Sequence, residues 1–459
     1  MKIKNLILIL PCVLYANTID FQTALEKTIQ NNKELKAKKL DINKASLSLE
    51  EAQGYDYGKL IFNENITNTN HAGHVFGMKT ASREASFDDF GFKYFLDNMG
   101  SATTQQLLDH QPDKLNNPES RTNFETKISY ELPLFTGFKL ENGKKMAKLQ
   151  TLASKVKFSY DEKLLGLEVL KAYNGAVTAK EFIKATKKAK ESTSSFVNLA
   201  NELFNEGLVT DIDVKQASVY DLNVDAKLIE AQNRYELAIS YLKFLTEDGS
   251  ISDVKEFENI NFHIDNLSFL QKDALVSRED LQYMKYNVDT LKNKIDYENA
   301  DNYPTIGAYF EYGYNNDKLE FNNEQDYYLG VIGISYTLFD ADITNIKRQK
   351  AKIEYKKNSF LLEHMKSGIQ LEVKNNLLEF NAKEKILNQK IKAENLAEDI
   401  LNKSTQMYQN QLMSMNDLLM QQANEQKARA ETIFARYEKN FSAAKLKLSI
   451  GESLKKDNK

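Results

Sequence analysis

The sequence predicts a mainly helical chain with a small β part, laid out as one design used twice. Three observations carry that expectation. Apolar residues recur at three- and four-residue steps over two long stretches, Leu149 to Val177 and Leu362 to Phe380, which is coiled-coil spacing. Between Asn123 and Leu134 the period changes to two, with Phe124, Thr126, Ile128, Tyr130, Leu132 and Leu134 alternating with Asn123, Glu125, Lys127, Ser129, Glu131 and Pro133. Finally, the stretch Leu203 to Val214 has a near copy at Met407 to Leu418, and each breaks one helical pattern from the next.

Composition narrows the class. The 459 residues include 5 Pro and 18 Gly without any Pro/Gly/Ser-rich linker, so no separate modules are expected. Net charge is −4, which provides no electrostatic footprint for nucleic acid. Mean hydropathy of −0.54 excludes a helical membrane protein. The first residues read differently: Lys2 and Lys4, an apolar run from Leu6 to Leu14, then Leu14-Tyr15-Ala16. Residues 1–16 are expected to be a secretory signal peptide cleaved after Ala16. Cys12, the single cysteine, lies inside it, and Pro11 fits a lipoprotein cleavage poorly. The mature chain then has no thiol for a disulfide, a nucleophile or a metal. No later apolar run approaches the roughly 18 residues of a spanning helix. An exported chain of this kind enters a membrane only as a β-barrel.

The elements follow in two passes. The first repeat, 17–250, opens with a helix from Thr18 to Lys59 and a weak strand at about 60–70. Residues 71–120 contain Gly73, Gly77, Gly91, Gly100, Pro112 and Pro118, and are expected to be a long surface loop with a short helix near Thr103 to Leu108. Then come the strand 123–134, a long helix 138–206, a tip hairpin 204–213 and a helix 210–246 that stops before Asp248-Gly249-Ser250. The second repeat, 251–459, has a connector at 251–266 and a helix 268–302 stopped by Tyr303-Pro304. Strands at 305–315 and 327–338, a long helix 341–409, a tip hairpin 408–417 and a helix 414–449 complete it. Each long helix spans roughly 100 Å, about two shorter ones end to end, which puts the strands at one end and the hairpins at the other. Four strands leave two open edges, which lipid does not tolerate. Two or three copies would close eight or twelve strands, and only the larger barrel has a useful lumen.

Few residues suggest chemistry. His71-x-x-His74, with His110 further on, sits in a Gly-rich setting without thiolates or a clear carboxylate partner, so no metal is assigned. Tyr130, Tyr309, Tyr312, Tyr314, Tyr327 and Tyr336 lie on strands, where an interfacial girdle and ordinary strand packing are both open. Phosphate loops, nucleophile elbows, zincin helices and dinucleotide fingerprints are absent, so neither enzyme activity nor a cofactor is expected. Thr210…Asp213 and Ser414…Asp417 both read as helix capping boxes. The sharper expectation is that Asp417 of several copies forms a ring, where like charges raise some pKa values and bind cations or gate a pore.

In order and spacing these pieces resemble the TolC family of outer-membrane channel proteins across the mature chain. The segments that carry the resemblance are ISYELPLFTGF at 128–138, ISYTLFDAD at 334–342, FNEGLVTDIDVKQA at 204–217, YQNQLMSMNDLLMQQ at 408–422, LSIG at 448–451 and Leu115-Asn116-Asn117-Pro118. The resemblance implies a homotrimer with a twelve-stranded transmembrane β-barrel and an α-helical tunnel through the periplasm. It implies docking onto a periplasmic adaptor and an inner-membrane transporter of RND, ABC or MFS type, for efflux or type I secretion. It also implies a periplasmic gate at Asp213, Tyr408, Met413, Asp417 and Met420, and adaptor docking at the turns, Gly207, Leu208, Val209, Gln411 and Leu412. Asp213, Tyr408 and Asp417 keep the family's residue types, whereas Met420 and Met413 replace an acid and an arginine and Gln411 replaces a glycine. The competing expectation is a periplasmic coiled-coil structural or adaptor protein that never inserts.

Overall fold

The computed structural model of the chain describes residues 17–258, 260, 266–321 and 324–456. The expected signal at 1–16 lies outside them, as does part of the connector expected at 251–266. In chain order the first elements are β1 (Asn17–Ile19), α1 (Phe21–Asn31), α2 (Lys33–Gly54) and β2 (Lys59–Thr69). Four short helices follow: α3 (Ala72–Ala81), α4 (Phe92–Asn98), α5 (Thr104–Leu108) and α6 (Asp113–Asn116). Next are β3 (Arg121–Thr136), α7 (Lys139–Asn205), α8 (Asp211–Thr246), β4 (Ile251–Val254), α9 (Leu267–Ser277) and α10 (Glu279–Glu298). The chain closes with β5 (Thr305–Asn316), β6 (Asp326–Ser335), α11 (Ile343–Gln409) and α12 (Met415–Ser449). The two long helices, α7 and α11, have 67 residues each.

The backbone forms two compact units, each drawing on both halves of the chain. One comprises residues through Asn43, Leu152–Tyr286 and those from Ser359 on; the other comprises Lys44–Thr151 and Asn287–Asn358.

In the first unit a large apolar core gathers Phe21, Leu25, Leu170, Tyr173, Leu242, Ile251, Leu281 and Leu446. Its β1 pairs in parallel with β4, a contact between strands too short to leave a periodic signal. Two expected single helices are broken here. The first is interrupted at Asn32 (φ −55°, ψ 123°), and the one expected over 268–302 at Arg278 (φ −74°, ψ 123°), with a further separate turn at Ala300–Asn302. Each break residue has a side-chain reason. Asn32 accepts from the Leu35 N–H at 3.0 Å and donates to the Leu245 carbonyl near the end of α8. Arg278, only 7% exposed, donates to the Ser449 carbonyl that ends α12 and pairs with Asp280 at 2.7 Å and Glu372 at 2.6 Å.

In the second unit the four strands lie in the order β2-β3-β5-β6, with every pairing antiparallel. Register places Phe62 beside Ile128, Ile128 beside Tyr312 and Tyr312 beside Tyr328, so one face is a continuous apolar sheet. Leu60, Phe62, Ile66, Ile128, Phe310, Tyr328, Ile332 and Ile334 on that face are all exposed. Both chain turns that leave the sheet for a long helix use two consecutive left-handed residues, Gly137-Phe138 (φ 63° and 68°) and Ala341-Asp342 (φ 54° and 63°). Only the first employs glycine, because a Cβ at Gly137 would sit 2.3 Å from the Ala300 carbonyl oxygen.

Residues 71–120 depart from the expected loop. Beyond the short helix at Thr104–Leu108 they form α3, a 3-10 turn at Phe87–Phe90, α4 and α6. Long-range ion pairs hold this array together, which local periodicity does not encode.

Candidate functional site

The two hairpins are built alike. In the first, the Gly207 N–H donates to the Phe204 carbonyl at 2.9 Å and the Leu208 N–H to the Leu203 carbonyl at 2.8 Å. In the second, the Gln411 N–H donates to Tyr408 at 2.9 Å and the Leu412 N–H to Met407 at 2.8 Å. Both are Schellman closures, which need a left-handed residue at the penultimate position. Gly207 supplies it with φ 71° and Gln411 with φ 60°.

The helix starts differ. Thr210 and Asp213 make the reciprocal bonds of a capping box, with the Thr210 N–H donating to the Asp213 carboxylate at 3.1 Å. At the second hairpin the Asp417 N–H donates to the Ser414 hydroxyl at 3.1 Å, and that hydroxyl donates to the Asp417 carboxylate at 2.7 Å. The return bond to the Ser414 N–H is not made, so the expected second capping box is a simple N-cap.

One apolar cluster joins the hairpins: Phe196, Ala200 and Leu203 from α7, Ala217 from α8, Leu401 and Tyr408 from α11, and Met415, Leu418 and Leu419 from α12. Val209 and Met413 pack partly buried against it. Tyr408 is 2% exposed, and its hydroxyl finds no hydrogen-bond partner. Burial first, then the charge of Asp213, pushes its pKa up to about 12. Asp213 and Tyr408 are therefore electrostatic neighbours. Met420 stands apart, 52% exposed, and the turn leucines Leu208 and Leu412 also face outward.

The other candidate surface is the polar face of the sheet. Lys127 pairs with Glu125 at 3.2 Å and Glu311 at 3.4 Å, the Tyr327 hydroxyl donates to Glu311 at 2.9 Å, and Tyr309 also bonds Glu311. Tyr309 and Tyr327 thus belong to the polar network, whereas Tyr130, Tyr312 and Tyr314 share the apolar face with Tyr328. The histidines go elsewhere: His71 and His74 meet edge-on at 4.7 Å, and His110 stacks on Tyr94. A sheet apolar on one face and polar on the other, with exposed apolar residues and two unpaired edges, is the outline of a transmembrane barrel segment.

The family model for outer membrane efflux proteins matches residues 83–246 and 270–452. The chain belongs to this family. Its outer-membrane location follows from that membership. A curated relative, the alkaline protease secretion protein AprF of Pseudomonas aeruginosa, is 24% identical over 245 residues, 51% of this chain. The chain spans about half the length of that relative, 50%. Among solved structures the fold is similar to CusC, with a TM-score of 0.78 at 14% identity, covering 95% of this chain and 93% of that one. The outer membrane protein VceC of Vibrio cholerae gives 0.76 at 14% identity, covering 94% and 96%. The CmeC outer membrane channel of Campylobacter jejuni gives 0.77 at 14% identity, covering 94% and 85%.

Within this efflux-family chain, sequence reasoning missed a buried polar ladder beside the hairpin cluster. Gln422 and Glu425 are buried on α12, and the Gln422 Oε1 has no partner. Burial, then the Glu425 charge, raises the pKa of Tyr220. Arg429 bonds Glu425 and lies 3.8 Å from Glu398, which itself takes Lys188 at 2.7 Å. On α8, Asp221 and Asp225 both hold Lys190, at 2.8 and 2.6 Å. The available signal was the run of glutamine and glutamate at core positions of α12, where apolar residues belong.

Proposed function

We propose that this chain is the exit duct of a tripartite export machine, a passive conduit from an inner-membrane transporter to the outside. Three copies join edge to edge through β2 and β6 into a twelve-stranded barrel, with the apolar face in lipid and the Glu125–Lys127–Glu311 network lining the lumen. The observation that supports this most is the sheet itself, which exposes an apolar face and two unpaired edges.

In this reading the long helices form a periplasmic tunnel, and the two halves derive from one duplicated unit, a view supported by the equal lengths of α7 and α11. The hairpins form the gate. Asp213, Tyr408, Met413, Asp417 and Met420 regulate closure, while Gly207, Leu208, Val209, Gln411 and Leu412 meet the hairpins of a periplasmic adaptor. Methionines in place of charged residues make the closure more apolar and more adaptable. Energy comes from an inner-membrane transporter of RND, ABC or MFS type. The name of the relative, alkaline protease secretion, supports type I secretion beside efflux.

Outer-membrane fractionation followed by conductance in planar bilayers tests the proposal. A soluble, non-conducting protein would return the reading to a periplasmic structural or adaptor protein.

A further inference from the structure

We infer that residues 70–120 form a lid at the outer mouth, in which the aromatic patches of neighbouring copies pack against one another. The inference rests on the three-copy barrel proposed above.

The segment is a built surface. Asp89 is buried, with Lys79 at 2.6 Å and the Ser86 N–H at 2.7 Å, and Lys114 holds Asp88 at 2.5 Å. Gly91, at φ 77°, passes so close to Pro112 that a Cβ would lie 3.0 Å from its ring. This scaffold presents apolar groups outward. Phe87 is 80% exposed and packs at 5.8 Å against Phe92, which stacks on Phe95. With Leu96 and Met99, also exposed, they make an apolar patch over α4, where no residue is buried, and the residues flanking it.

The anchoring of the segment says what covers it. Arg121 shares the strand parity of Asn123, Glu125 and Lys127, hence the polar face, and it bonds Ser82 at 3.0 Å and also Glu84. Gln325 reaches Glu84 as well, and Arg83 donates to the carbonyls of Glu324 and Asp326 at 2.9 and 2.6 Å. The segment is therefore hung across the strand ends, held on the polar face through Arg121 and on the other face through Asp326, which pairs with Arg83 at 3.7 Å and accepts from the Tyr312 hydroxyl at 3.1 Å. It also follows directly from β2, an open edge where a second copy joins. Lys93 and Asp97, one turn apart on α4, let like surfaces meet without net repulsion.

The chain has no tryptophan, so Phe87→Trp in the full-length assembly provides a single reporter. Its emission is expected to be blue-shifted and to resist quenching by both acrylamide and brominated phosphatidylcholine. Acrylamide quenching places the patch in water, and bromolipid quenching places it on the bilayer; either overturns the lid. In outer membranes Phe87→Cys with a bifunctional maleimide is expected to give cross-linked pairs, while the native mass of the wild-type assembly reports three chains. Three chains without cross-links overturn the lid alone, whereas absence of the three-chain mass overturns the barrel reading with it. The double variant Phe87→Glu/Phe95→Glu is expected to raise single-channel conductance, and unchanged conductance counts against occlusion.

Discussion

Gln411 occupies the left-handed turn position that Gly207 occupies in the other hairpin, with φ 60° against 71° and the same pair of closing hydrogen bonds. Left-handed backbone costs an L-residue about 1–2 kcal/mol, and glycine escapes most of that cost. The two positions are therefore predicted to respond oppositely. Gln411→Gly stabilises the chain by up to about 1 kcal/mol, and Gly207→Ala destabilises it by about 1 kcal/mol. A Cβ at Gly207 meets nothing within 4 Å, so the cost there is conformational rather than steric. Chemical denaturation in detergent measures both, and shifts of the same sign contradict the assignment.

Tyr408→Phe tests the buried hydroxyl. Because that group has no partner within its own chain, removing it is expected to stabilise the chain by about 1 kcal/mol. If Tyr408 also belongs to the gate, the variant opens more often in bilayers. A loss of stability would show that the hydroxyl is bonded in the assembly.

Asp417→Ala separates cap from gate. The backbone N–H that Ser414 caps is kept, and in either case the variant loses the bond from the Ser414 hydroxyl and a first-turn negative charge, a cost of about 0.3–1 kcal/mol. The gate reading adds lower cation selectivity and altered open probability in single-channel recordings. Wild-type conductance properties remove Asp417 from the gate.

Arg278 joins α9 and α10 to α11 and α12 through Asp280, Glu372 and the Ser449 carbonyl. Arg278→Ala removes the cation from Asp280, which keeps only the Leu281 N–H, and from Glu372 and the Ser449 carbonyl, and is expected to cost about 3–5 kcal/mol. Arg278→Lys recovers only part of it, since an ammonium cannot reproduce the two-oxygen contact with Asp280. Full rescue by lysine, read as the denaturation midpoint, would mean that charge alone suffices.

Acid stability follows from three carboxyls held down to about 2: Asp20 by the Thr23 N–H, Asp248 by Lys27, and Asp89, where burial pushes upward but Lys79 and Ser86 outweigh it. In the unfolded chain such groups titrate near about 3.9. Their folded pKa is depressed, so their contribution is fully present above about pH 4 and disappears as pH falls toward about 2. Asp248→Asn is expected to lose about 1 kcal/mol at neutral pH and to show a flatter decline in acid. Equal slopes for variant and wild type would assign the acid sensitivity elsewhere.

Much of this molecule is legible in its sequence because its periodicities are long. The alternation seen at Asn123–Leu134 lies within β3, and the heptad-like runs lie within α7 and α11. What escapes is set by distant contacts. Asn32 and Arg278 break helices without glycine or proline, each by bonding a carbonyl more than 170 residues away. Tyr309 and Tyr327 read as girdle candidates until register turned them toward Glu311. At the hairpins the residue types were readable. The burial of Tyr408 and the missing return bond at Ser414 depend on how four helices pack.

The two open edges of the sheet carry a consequence for biogenesis. A lone copy displays unpaired backbone on β2 and β6 beside an apolar face, a state hazardous both in water and in lipid. If three copies close the barrel as proposed, insertion and assembly are one event, and its rate rises steeply with the local supply of newly exported chains. A copy that pairs through β2 but carries a proline in β6 would enter mixed assemblies and leave each one unclosed. Co-expressed with the normal chain, a minority of such copies would silence most of the population, because every ring needs all its members intact.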